Sequence, residues 1–189
     1  EHMVFDGQSH ASVLSHEELR DKSFAVFSFG KTYHATGWKL AYCVAPPSLT
    51  TEFRKVHQFV TFTSVSFLQY ALADYMRECP QHATELASFY QAKRDRFCEL
   101  LAPSRFRLTP SAGTYFQLAD YSAVSVEDDM TFVKRLTREH GVAAIPLSPF
   151  YGASHNSSQT TEPESRIIRF CFCKEDATLE SATQILCAL

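Results

Sequence analysis

The spacing of apolar positions changes several times along the chain, and each change marks an element. Residues 24–29, FAVFSF, are apolar without alternation, which predicts a short strand covered on both faces. Residues 38–45, WKLAYCVA, read as its neighbour across an intervening loop. Ahead of both, Ser15 stands three positions before Glu18, the capping-box spacing of a short helix over 15–21. Pro46 and Pro47 end the second strand. Ser48 or Thr50 can then cap a helix that carries Phe53, Val56, His57 and Val60 at helical intervals, with another helix at about 65–77.

From Gln81 to Leu101 the apolar residues Leu86, Phe89, Tyr90, Phe97, Leu100 and Leu101 recur with helical period among Lys93, Arg94, Asp95 and Arg96, predicting one long amphipathic connecting helix. After Pro103 the pattern becomes strand, turn, strand: FRLT, then Pro110 to Gly113, then TYFQLA, a hairpin. A helix over 126–140 stops at Gly141, VAAI and RIIRFCFC read as strands, and the tail from Lys174 is helical. Residues from about 103 onward therefore form an α+β unit. The polar stretch 152–165, GASHNSSQTTEPES, has too few apolar residues to pack and reads as a mobile surface loop.

Composition narrows the function classes. With 189 residues, 45% of them hydrophobic, the chain can bury a sizeable core. A formal net charge of −3 without a basic stripe disfavours a nucleic-acid partner. No stretch approaches the roughly 18–20 apolar residues that span a bilayer, so a soluble, cytoplasmic protein is expected. The six cysteines show no secretory context and are expected as reduced, mostly buried thiols. Cys171 and Cys173 point to one face of a strand, but no matching ligand pair accompanies them, and no metal is expected.

The candidate chemistry centres on Lys31, delivered directly after the first strand. The bland alternative is a strand-end lysine pointing into solvent, as most lysines do. A lysine in a partly desolvated site instead becomes a nucleophile. Around it, Ser28 offers a hydroxyl, Gly30 allows close backbone approach and Lys39 adds a second cation, an arrangement suited to a phosphate beside an amine. Without further context Ser28 could equally be a satisfied strand-end hydroxyl and Lys39 a solvated charge. Arg166 and Arg169 in RIIRFCF fall on opposite faces of their strand, so only one can point inward.

The order Ser28-x-x-Lys31 followed by Thr36-Gly37-Trp38-Lys39 resembles the cofactor-lysine segment of fold-type I pyridoxal-phosphate aminotransferases. SFGKTYHATGWKLAYCVAP, RKVHQFVTF, SAGTYFQLADYS, GVAAIPLSPFY and RIIRFCFCKEDATLESA together resemble the methionine and kynurenine aminotransferase group, in the family's order along nearly the whole chain. The resemblance implies an α/β fold. Residues 1–79 would be the C-terminal part of the large domain, with an incomplete, mainly parallel sheet. Residues 80–102 would be a connecting helix and 103–189 a small α+β domain.

It also implies the site. Lys31 would hold pyridoxal 5'-phosphate as a Schiff base and act as the base, with Ser28 and Lys39 on the phosphate, although many relatives in the wider superfamily have arginine at the Lys39 position. Arg169 would grip the substrate carboxylate by its planar fork, leaving Arg166 as a surface charge. Tyr33, Phe62, Thr63, Phe150 and Tyr151 would line the substrate pocket, Phe62 and Thr63 reaching a neighbouring subunit's site in a homodimer. The substrates would be an amino acid, methionine or an aromatic or kynurenine-like one, and a 2-oxo acid. A cysteine-sulfur β-lyase is the alternative with the same cofactor. The chain opens in mid-pattern at EHMVFDG and is expected to be part of a longer protein, because the family's upstream Asp-x-x-Tyr, which meets the cofactor ring, is not in it. The isolated chain is accordingly expected to be inactive.

Overall fold

The computed structural model describes residues 1–151 and 166–189. The chain divides into two compact units, Glu1–Ala87 and Ser88–Leu189. The polar stretch 152–165 lies outside the described residues.

The first unit contains α1 (Glu17–Arg20), β1 (Ala25–Ser28), α2 (Phe29–Thr32), β2 (Ala41–Val44), α3 (Pro47–Val60) and α4 (Ser66–Glu78), and ends within α5 (Gln81–Leu101). The β1 and β2 strands pair antiparallel, with Ala25 opposite Val44 and Ser28 opposite Ala41. The mainly parallel sheet implied by the resemblance is thus represented here by one antiparallel pair. The reason is local: α2 and a 3-10 turn at Thr36–Trp38 reverse the chain, and the Phe29 N–H closes the return on the Leu40 carbonyl at 3.1 Å.

Three expectations for this unit are corrected. β1 is not covered on both faces: Ala25 is buried, but Val26, which points to the opposite face of the strand, is 68% exposed. The capping box at Ser15 does not form. Ser12 instead caps the turn Val13–Ser15 by accepting the Leu14 N–H, and α1 starts after His16 without a side-chain cap. Nor does Ser48 or Thr50 cap α3. Pro46 occupies the cap, Pro47 supplies the first helical residue with its fixed φ, and the Thr50 hydroxyl donates back to the Ala45 carbonyl.

The second unit holds the rest of α5, β3 (Arg107–Leu108), β4 (Phe116–Asp120), α6 (Asp129–His140), β5 (Ile145–Pro146), β6 (Ile167–Cys171) and α7 (Asp176–Cys187). The strands form an antiparallel sheet in the order β3-β4-β6-β5. Its two faces differ because side chains alternate. Gln117, Ala119, Ile168 and Phe170 are buried on one face, while Phe116, Leu118, Ile145 and Arg169 alternate with them on the other. The buried face shares its core with Phe97 and Leu101 of α5, Phe132 and Leu136 of α6, and Leu179 and Leu186 of α7. Tyr121 and Phe132 stack at 4.3 Å within it.

Capping explains the ends of α6. The Asp128 carboxylate accepts the Thr131 N–H at 2.9 Å, and Gly141 takes the left-handed φ of 70° that a closing residue needs. The helix starts three residues later than the apolar pattern predicts, because Asp128 captures that N–H. In α5 the buried stripe in this unit is Tyr90, Arg94, Phe97 and Leu101. Arg94, one of the charged positions interleaved with the apolar ones, is itself buried, donating to the Ser111 carbonyl at 2.7 Å and to Asp95. Phe89, expected on the apolar stripe, is half exposed. The thiols are free but not mostly buried: Cys43, Cys173 and Cys187 are exposed and the other three intermediate. No helix among the described residues is long and apolar enough to cross a membrane.

Candidate active site

Ser28 ends β1 and caps α2, its Oγ accepting the Gly30 N–H at 3.2 Å. The hydroxyl proton is left free to donate, so the same group can accept from the backbone and give to a phosphate oxygen. Gly30 is buried beneath the return of the chain. A Cβ there would stand 3.0 Å from Thr36 Cα, tighter than ordinary van der Waals contact, so the turn closes most easily around glycine. Lys31 lies in the helical turn α2 rather than in an open loop, exposed, with no hydrogen bond or ion pair at its ammonium among the described residues. His34 and Lys39, with φ of 53° and 55°, take the left-handed conformation that non-glycine residues seldom adopt, and the strain brackets the segment after the lysine.

An aromatic cluster braces this turn. His82 Nε2 lies 2.7 Å from the Thr32 carbonyl oxygen and Nδ1 lies 3.1 Å from the Tyr75 hydroxyl. A carbonyl can only accept, so Nε2 donates to it, while Nδ1 pairs with the Tyr75 hydroxyl. Tyr33 stacks on His82 at 5.3 Å and meets Tyr75 edge-on. Burial, helped by the Glu1 charge, raises the Tyr33 phenol above its ordinary range, and burial beside His82 lowers His34.

Two cavities flank these elements. One of about 290 Å³ is lined by Ser28, Phe29, Thr32, Tyr33 and Tyr42 among others; Lys31 is not on its wall. The second, about 500 Å³, is lined by Phe24, Phe53, Arg54, His57 and Phe62 among others. Ser28 and Tyr33 are therefore together, whereas Phe62 belongs to a different cavity. Phe62 is 80% exposed with a left-handed φ of 64°, and Thr63 beside it is exposed.

In the second unit Arg169 lies mid-strand in β6, opposite Leu118 on β4 and Ile145 on β5. It belongs to the face opposite buried Ile168 and Phe170. Its guanidinium carbon is 3.9 Å from the Phe116 ring centroid and 5.3 Å from that of Phe150. Its Nε is buried without a hydrogen-bond partner among the described residues. A planar cation walled by two rings, with an unused donor, has the shape and charge that suit a planar anion. Tyr151 follows Phe150 and is 43% exposed.

Arg166 was expected as a surface charge, yet its Nε is buried. Burial alone would raise the Asp120 carboxyl. The Ser122 N–H and the Arg107 and Arg166 charges outweigh it and hold the group below its ordinary range.

Sequence reasoning missed His82, Tyr75 and Phe116. His82 follows Pro80 at the start of a helix where no period marks it. Phe116 meets Arg169 through strand register, which spacing within one strand does not reveal.

Residues 1–186 match the family described as aminotransferase class I and II. Methionine aminotransferase of Escherichia coli is 50% identical over 187 residues, covering 98% of this chain and 46% of the relative. Kynurenine–oxoglutarate transaminase of Dictyostelium discoideum is 30% identical, covering 96% of the chain and 45% of the relative. Among solved structures, an Escherichia coli protein with methionine aminotransferase function superposes with a TM-score of 0.89 at 49% identity, over all of this chain and 48% of that one. N-succinyldiaminopimelate aminotransferase from Mycobacterium tuberculosis gives 0.87 at 29% identity, over all of this chain and 47% of that one. The chain spans about half the length of the curated relatives it matches.

Proposed function

Given that the chain belongs to the class I and II aminotransferase family, we propose that the protein carrying it transfers the amino group of a small amino acid to a 2-oxo acid, using pyridoxal 5'-phosphate held at Lys31. Methionine is the leading substrate on similarity, because the 50% match is to a methionine aminotransferase and the kynurenine transaminase match stands at 30%. Aromatic or kynurenine-like amino acids remain within the class. The lyase alternative draws no support from the relatives named above, all of which are aminotransferases.

The observation that carries the amino-acid assignment is Arg169, walled by Phe116 and Phe150 with its buried Nε unpartnered. A substrate carboxylate would accept from that nitrogen and from the fork beside it. Phe150 and Tyr151 would line the same end of the substrate.

The residues of the first unit fit the cofactor. Ser28 retains a free hydroxyl proton for the phosphate, Lys39 adds positive charge, and Lys31 presents an unpaired amine from a turn locked at Gly30. When bound, the cofactor supplies a conjugated electron sink for the bond breaking at the substrate α-carbon. Lys31 Nζ would anchor it and, once displaced by the substrate amine, move the α-proton as general base. Ser28 and Lys39 would orient the phosphate, and Tyr33 would shape the adjoining cavity. In a homodimer Phe62 and Thr63 would line the neighbouring subunit's site. In domain terms, residues 1–79 would then close the large domain, 80–102 would connect it to the small one, and 103–189 would be the small domain.

The test is an assay of the full-length protein with methionine or cystathionine and a panel of 2-oxo acids. The reading expects the oxo acid of methionine and a new amino acid in equal amounts. Release of ammonia and a thiol instead would contradict it.

A further inference from the structure

We propose that Asp129 and Ser148 form a positioning clamp that sets the Phe150 wall of the Arg169 carboxylate receptor; the proposal rests on reading Arg169 as that receptor. Asp129 is only 8% exposed, and a buried carboxylate is costly unless its oxygens are satisfied. Both are used, and by one residue: Ser148 N–H donates to Oδ2 at 2.7 Å and the Ser148 hydroxyl donates to Oδ1 at 2.7 Å. The start of α6 does not need Asp129 as a cap, because Asp128 already takes the Thr131 N–H. Its two hydrogen bonds reach instead to a segment nineteen residues on.

That segment is the short 3-10 turn Ser148–Phe150, closed by the Phe150 N–H on the Leu147 carbonyl at 2.9 Å. It follows β5, which joins the sheet by only two pairs, Ile145 with Arg169 and Pro146 with Ile168. So short a strand holds the turn weakly. The other wall of the receptor is built differently: Phe116 belongs to β4, tied to β6 over five consecutive pairs. Phe116 is therefore fixed by the sheet, whereas Phe150, 65% exposed, depends on what anchors its turn. Asp129 supplies that anchor through charge-assisted hydrogen bonds, stronger than neutral ones. With the clamp intact, Phe150 stays over one face of the guanidinium and shields it from water, so that the N–H edge is held for the carboxylate. Released, the ring exchanges with solvent and the carboxylate competes with water.

The experiment uses the full-length holoenzyme with Ser148→Ala, Asp129→Asn, Arg169→Ala and the Ser148→Ala/Arg169→Ala double variant. It measures KM and kcat for methionine and, by calorimetry, the Kd of methionine's des-amino analogue, which keeps the carboxylate and lacks the amine. Loss of one charge-assisted bond corresponds to a rise of about 5- to 20-fold in KM and Kd for Ser148→Ala, with kcat changing less. Ser148→Thr, which retains the hydroxyl, should recover most of it. In the Arg169→Ala background the Ser148 substitution should add nothing. If Arg169→Ala weakens the analogue but Ser148→Ala does not, or if Ser148→Ala acts equally with and without Arg169, the clamp is overturned while the receptor stands. If Arg169→Ala leaves the analogue's Kd unchanged, the receptor reading itself fails and the clamp with it. Should Asp129→Asn fail to fold, Ser148→Ala decides the matter.

Discussion

His82 Nε2 donates to the Thr32 carbonyl across 2.7 Å, tying the start of one helix to the end of the turn that carries Lys31, fifty residues earlier in the chain. The bond satisfies a backbone acceptor of buried Thr32, and the Tyr75 hydroxyl completes the imidazole on its other side. His82→Leu leaves that acceptor without its donor, a loss of about 1–3 kcal/mol of stability. His82→Gln, whose amide can donate from a similar position, should lose less. Denaturant midpoints of the variants check both, and equal losses would show that ring packing rather than the donor matters.

Gly30→Ala should damage the same turn from the opposite side. The added methyl meets Thr36 Cα, a backbone atom, at 3.0 Å, so the returning backbone has to shift by a few tenths of an ångström. Overpacking of this kind costs about 1–3 kcal/mol, more than the roughly 1 kcal/mol that alanine gains over glycine in a helix. Reduced stability and weaker retention of pyridoxal phosphate are expected together, measured by thermal unfolding and by cofactor content after dialysis.

Substitution of Arg169 separates charge from shape. Arg169→Ala removes the whole receptor, and a hydrogen-bonded charge is worth about 1.5–3 kcal/mol, so kcat/KM for the amino acid should fall about 10- to 100-fold. Arg169→Lys keeps the charge without the fork or the stacking plane and should fall between. A lysine variant equal to wild type would show that only charge is used.

Alkaline stability reports on the second unit's core. Burial, together with the Asp129 charge, pushes the Tyr121 phenol up to about 12, against about 10 in an unfolded chain. The folded state thus holds this proton more tightly. The contribution is complete below pH 10 and is lost as pH rises through about 12. Tyr90, also raised by burial and by its bond to Cys173, adds to the slope. Tyr121→Phe should be less stable at neutral pH, because the Glu127 carbonyl loses its donor, yet its stability should decline less steeply above pH 10. Unfolding free energies at stepped pH compare the two slopes.

The elements best read from sequence are those whose pattern is set locally. The long helix 81–101 and the hairpin after Pro103 carry their period and turn residues with them, and the structure has both. Errors arose where partners distant in sequence decide. β1 reads as doubly covered because its side chains are apolar, but cover depends on neighbours and not on the strand itself. Arg94 stands in the sequence as one charge among several, and only the folded hairpin brings the Ser111 carbonyl to it. In the candidate site, Ser28, Lys31 and Lys39 are close in sequence and stood out together. The Phe116 wall of Arg169, the His82 brace and the Asp129 clamp join residues far apart in sequence and emerge only from the three-dimensional arrangement.

The central claim is that Lys31 is the amine that carries pyridoxal phosphate. Reduction of the full-length protein with borohydride in the presence of the cofactor, followed by peptide mass spectrometry, tests it directly. The account predicts a stoichiometric phosphopyridoxyl adduct on the peptide containing Lys31, and its absence from Lys31→Ala together with a loss of turnover of about a thousandfold or more. An adduct on another lysine, or one scattered over several while Lys31 stays unmodified, would contradict it.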